Sequence, residues 1–130
     1  MRPRLAGLVA IGCAVALACF SERGSGPTSN NAECSVPVSV IDSMHFVVAI
    51  RNFEFLPDSI NVPGGATVTW VNCETPPQEP HTSTADGGVG WDSPDLNTGQ
   101  RFSHTFPATP GPNGYHCKLH PSMLGKVIVE

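Results

Sequence analysis

Hydrophobic and polar positions alternate along much of the chain with the period of two that marks strands with one buried face. Val36, Val38 and Val40 alternate with Pro37 and Ser39, and Pro37 confines that segment to a sheet edge or a strand start. A second run, His45 to Ile50, carries Phe46, Val48 and Ile50 on one face. Pro57-Asp58 breaks the chain before Ile60-Asn61-Val62, and Pro63-Gly64-Gly65 turns it into the β-prone run from Ala66 to Val71. Residues 72–97 read as loop, with Pro76, Pro77, Pro80 and the Gly87-Gly88 pair. A strand from Arg101 to Phe106 puts Phe102, His104 and Phe106 on one face; Tyr115-His116-Cys117 and Lys126 to Val129 supply the last two. No helical period persists over three turns. Short strands separated by Gly/Pro turns predict an all-β sandwich or barrel.

The N-terminus breaks this pattern. Arg2 and Arg4 precede an uncharged apolar run from Leu5 to Ala18, shorter than the ~20 residues of a membrane-spanning helix. A basic start, a short apolar middle and small residues before a polar segment predict a secretory signal over residues 1–18. Val15-Ala16-Leu17-Ala18-Cys19 resembles a lipoprotein cleavage box with Ala16 where that box prefers Leu, and Ala16-x-Ala18 also fits ordinary cleavage. A lipid anchor at Cys19 and a free N-terminus are both open. Residues 19–33, rich in Gly, Ser, Pro and Asn, read as a flexible linker, and residues 34–130 as one small domain. The expected location is the periplasm or cell envelope.

Charge narrows the partners. The chain carries a formal −4, and removal of the signal deletes Arg2 and Arg4. Between Asn52 and Gln100 stand seven acidic residues (Glu54, Asp58, Glu74, Glu79, Asp86, Asp92, Asp95) and no Lys or Arg. Nucleic acid is excluded, since its binding depends on Lys and Arg neutralising phosphates. A basic partner or plain solubility accounts for the acidic run.

Candidate chemistry begins with the cysteines. Cys13 and Cys19 lie in or beside the signal, leaving Cys34, Cys73 and Cys117, an odd number that leaves one thiol free in an oxidising compartment. Cys117, His120 and Met123 are spaced three apart between two predicted strands. Thiolate, imidazole and thioether suit copper in both oxidation states, whereas a structural zinc site draws four Cys or His ligands. A trigonal copper plane needs one more His, and His81, in the Pro-rich loop, supplies it, with Met123 as the weak axial ligand. The other histidines have plainer readings: His104 as a half-buried core residue, His45 as an exposed strand start. His116 points away from Cys117, as a surface His or an electron route outward.

Cys117-Lys118-Leu119-His120-Pro121-Ser122-Met123-Leu124-Gly125 resembles the C-terminal signature of the amicyanin and plastocyanin-type cupredoxins, the amicyanins above all in the short spacing and the Pro after the second His. Asn52-Phe53-x-Phe55-x-Pro57, the run Gly65 to Asn72, Pro80-His81-Thr82 and the stretch Asp92 to Phe102 are similar to the same family in the same order. The resemblance implies a cupredoxin-like Greek-key β-sandwich with one type 1 copper, Cu(I)/Cu(II), near one end. It implies a monomeric, non-enzymatic electron carrier that meets its redox partners at the solvent edge of His120, within a rim of Leu119, Pro121 and Leu124. The acidic loops would favour a basic partner such as a c-type cytochrome. Cys73 lies in a loop longer than a minimal member needs, and it is expected to pair with Cys34, the alternative being two free buried thiols.

Three other readings compete. A copper-delivery protein would use the same ligands, but only three methionines occur and none form a Met-rich run. A copper nitrite reductase, suggested by His116 before Cys117, needs a second domain and further histidines. A sandwich that has lost its metal would not keep all four ligand types.

Overall fold

The computed structural model describes Cys34, residues 40–75 and residues 77–130. The signal over 1–18, Cys19, the linker 19–33 and the alternation of Val36 and Val38 lie outside the described residues. Among the described residues nine strands follow in order: β1 (Val40–Asp42), β2 (His45–Arg51), β3 (Glu54–Leu56), β4 (Ser59–Val62), β5 (Thr67–Asn72), β6 (Thr84–Ala85), β7 (Arg101–Thr105), β8 (Gly111–His116) and β9 (Leu124–Val129). They form two sheets. One runs β1-β2-β5-β7 with β3 also paired to β2; the other runs β4-β9-β8-β6. The pairs β2/β5 and β4/β9 are parallel, and the remaining pairs are antiparallel. The expected β-sandwich is the observed one.

The inward faces meet over an aromatic core. Trp70, Tyr115, Phe55 and Phe106 are all within 2 % of full burial. The Tyr115 ring packs edge-on against Phe55 at 4.7 Å and Trp70 at 5.3 Å, geometries that suit ring quadrupoles. Tyr115 and Gly125 are cross-strand partners, and a Cβ at Gly125 would overlap the Tyr115 ring. Burial pushes the Tyr115 phenol well above its ordinary range. Both final strands exist where the sequence expected them, each starting earlier than its pattern, and packing against Tyr115 explains the glycine within β9.

Besides the short β3, which the pattern did not show, three regions differ from the pattern-based expectation. β2 is buried on both faces: Val47 and Ala49, on the face away from the main core, pack with Val71, Cys73, Cys34 and Leu56. Residues 72–97 are not all loop. They contain β6, a single 3-10 turn over Asp86–Gly88 and bridges joining His81 to Leu96 and Thr84 to Asp92. β8 starts at Gly111, four residues before Tyr115, because β9 supplies a register of partners that overrides the poor strand preference of Gly-Pro-Asn-Gly.

The disulfide is present. Cys34 and Cys73 are bonded with their Cα atoms 5.6 Å apart, and Cys117 is the free, buried thiol among the described cysteines. Arg51 Nη2 donates to the Cys34 carbonyl at 2.8 Å, so the bridge is tied to the end of β2 as well as to the end of β5.

Candidate metal centre

The turn between β8 and β9 brings three of the expected residues together by local geometry. The Cys117 N–H donates to the Met123 carbonyl (3.1 Å), the His120 N–H to the Cys117 carbonyl (3.3 Å) and the Met123 N–H to the His120 carbonyl (2.9 Å). Residues three apart in such tight turns stack on one side. Cys117 and Met123 are buried, at 0 % and 3 % exposure, while His120 is half-buried at the surface.

His81 arrives from the other sheet's loop. Its backbone exchanges hydrogen bonds with Leu96 in both directions, at 3.1 and 2.8 Å. The Asn72 side chain, at the end of β5, donates to the carbonyls of Glu79 and Leu96 and closes the loop on both sides of His81. The result is a compact donor cluster. His81 Nδ1 lies 3.8 Å and His120 Nδ1 lies 3.7 Å from Cys117 Sγ, and the two nitrogens are 3.2 Å apart. One soft sulfur and two imidazole nitrogens within 4.8 Å of one another are a donor set that can hold a single copper ion.

The surroundings suit that chemistry. The Thr82 N–H donates to Cys117 Sγ at 3.3 Å and holds the sulfur beside His81. The Thr82 hydroxyl accepts the Lys118 N–H at 2.8 Å, so one residue beside His81 grips both sides of Cys117. His81 Nε2 faces Glu74 Oε1 at 3.1 Å. A carboxylate accepts only, so the proton sits on Nε2 and the Nδ1 lone pair points into the cluster. Burial lowers the His81 pKa, and the Glu74 hydrogen bond opposes the shift only in part, which favours the neutral ring.

Sequence reasoning missed two residues. Glu74 was counted among the surface acids; it is buried at 7 % exposure and serves the site. Phe53, noted only as part of a motif, stands edge-on to His120 at 4.9 Å and to His81 at 5.5 Å. Glu74 lies two residues after Asn72 and seven before His81, a spacing that carries no information until the loop is folded. The other histidines fall where expected. His45 is exposed and bonded to Asp42 at 2.7 Å, His104 is half-buried and stacked on Trp91 at 4.9 Å, and His116 turns away from Cys117 to Asp86 at 2.7 Å. The rim residues Leu119 and Leu124 are 43 % and 63 % exposed beside His120.

Comparison with known proteins agrees with this geometry. The family model of copper-binding proteins of the plastocyanin/azurin family matches residues 42–130. Amicyanin-alpha of Methylorubrum extorquens is 36% identical over 84 residues, covering 64% of this chain and 70% of that protein. Amicyanin of Paracoccus versutus is 33% identical over 102 residues, 76% of this chain and 71% of that protein. A solved structure of a reduced amicyanin mutant superposes with a TM-score of 0.60 at 32% identity, over 68% of this chain and 85% of that one.

Proposed function

We propose, for a chain that belongs to the plastocyanin/azurin family of copper-binding proteins and is a single-copper electron-transfer protein, that His81, Cys117 and His120 would hold the ion with Met123 as a weaker fourth donor. The carrying observation is the convergence of a buried free thiol and two imidazole nitrogens within 4.8 Å. A copper ion held there would supply one-electron Cu(I)/Cu(II) chemistry. The protein's part is to hold one donor arrangement for both states: Thr82 fixes the sulfur, Glu74 fixes the His81 tautomer, and backbone hydrogen bonds fix the turn carrying His120 and Met123.

The partner surface in this reading is the His120 edge, ringed by Leu119, Pro121, Leu124 and the newly found Phe53. A small apolar rim suits brief encounters. The exposed carboxylates Glu54 and Asp58 nearby in sequence favour a basic partner, a c-type cytochrome being one example. Export is supported by the Cys34–Cys73 disulfide, which persists in oxidising compartments. The chain then acts as a monomeric carrier in the periplasm or cell envelope, without catalysis of its own, with the signal over 1–18 removed and Cys19 available for lipid.

One equivalent of Cu(II) added to the purified domain tests the ligand set. The expected result is an intense visible thiolate-to-copper band that ascorbate bleaches and that Cys117→Ser lacks. A pale complex in the unsubstituted protein would overturn the assignment of Cys117.

A further inference from the structure

The connection between β2 and β3 holds a residue type that its backbone disfavours. Arg51 and Glu54 pair across a two-residue turn, Asn52-Phe53, in which both residues are left-handed, with φ of 54° and 59°. Turns of this kind prefer Asn followed by Gly, because glycine adopts a positive φ freely and a bulky side chain does not. Asn52 fits its position. Phe53 occupies the place of the glycine, and a strained residue held at a site is the observation from which a functional role is inferred.

What holds Phe53 there is the same carboxylate that serves His81. Glu74 Oε1 accepts the Phe53 N–H at 2.9 Å and the His81 Nε2–H at 3.1 Å. Glu74 is itself anchored by its own N–H on Asn72 Oδ1 at 2.9 Å, directly after the disulfide-bonded Cys73. The Phe53 ring then meets both imidazoles nearly at right angles, 84° to His81 and 88° to His120. His81 and His120 are 4.8 Å apart, so the three rings pack against one another in a closed triangle. The Phe53 side remains 48 % exposed, which makes hydrophobic burial a poor reason to keep a phenylalanine in a glycine conformation.

We propose that Phe53 is a positioning residue, held in its strained turn by Glu74 so that its ring clamps the His81 and His120 imidazoles in one orientation. The inference rests on the reading that these histidines hold copper. The clamp accounts for a feature the four-donor picture leaves out: His120 is less buried than His81, and Phe53 gives its ring a neighbour on the surface side.

Phe53→Gly and Phe53→Asn both suit the left-handed backbone and remove the ring, whereas Phe53→Tyr keeps the ring. Cu(I) affinity is measured by chelator competition, His120 ring order by NMR relaxation of the metal-free protein, and folding by thermal unfolding of the same form. Loss of an outer partner of a metal ligand weakens binding by about 10–100-fold, and about tenfold is expected here for the Gly and Asn variants, with a more mobile His120 ring. The unfolding midpoint should not fall, and Phe53→Tyr should match the unsubstituted protein. Copper binding with Gly and Asn variants unchanged in affinity and ring order would overturn the clamp and leave the copper reading standing. An unsubstituted protein that takes up no copper would overturn both.

Discussion

Cys117, His120 and Met123 come from one stretch of seven residues closed by three backbone hydrogen bonds, whereas His81 depends on contacts from four separate parts of the chain. The turn carrying the first three needs little more than β8 and β9 side by side. The His81 half draws on Asn72 at the end of β5, Leu96 before β7, Glu74 beside the disulfide-bonded Cys73 and the strained turn after β2. A site assembled this way has a local half, tolerant of distant change, and a distal half that reports the state of the whole sandwich. The two halves meet at Thr82, whose backbone and hydroxyl both bond across to the Cys117-Lys118 segment.

The largest expected effect falls on the distal half. Replacing Cys34 and Cys73 together by Ser should cost about 2–5 kcal/mol in urea unfolding of the metal-free domain, the range for a native disulfide in a small secreted fold. Hydrogen exchange should quicken at the His81 and Thr82 amides more than at His120 and Met123. Equal quickening in both halves would break the comparison.

Gly125→Ala attacks the local half from beneath. The added methyl meets the Tyr115 ring across the β8–β9 pair, and overpacking of this kind costs about 1–3 kcal/mol. The urea midpoint should fall, and exchange should quicken first at the Met123 amide, next in chain to β9. An unchanged midpoint would mean that the Tyr115 ring can move aside, so that the local half does not depend on this contact.

Thr82→Val should have the smallest effect, because it keeps the backbone bond to the sulfur and removes only the hydroxyl. The Lys118 N–H loses its acceptor, for about 1 kcal/mol of stability. The position of the copper visible band, read alongside the unfolding midpoint, should shift only slightly. A large spectral change would show that the hydroxyl, 3.9 Å from Cys117 Sγ, acts on the sulfur directly.

Most of the strand positions were legible from alternation, and the Cys117-x-x-His120-x-x-Met123 spacing from the chain itself, because both are properties of a few adjacent residues. β3 was not, since three residues flanked by a turn and Pro57 are too short to show a period. The second buried face of β2 was hidden for another reason. Val47 and Ala49 read as ordinary outward positions until Leu56 and the disulfide with Cys34 pack against them.

Glu74 illustrates the limit most directly. In the sequence it is one of seven acids in a stretch without Lys or Arg; in the fold it is a buried acceptor shared by residues seven and 21 positions away. The sequence by itself determined the β class, the odd cysteine and the three-residue spacing of Cys117, His120 and Met123, because period and spacing act locally. Only the tertiary structure decided which carboxylate orients His81, that Phe53 takes a glycine's conformation, and that its ring meets both imidazoles. Those outcomes depend on contacts between segments far apart in the chain, and their energies exist only once the two sheets have closed on each other.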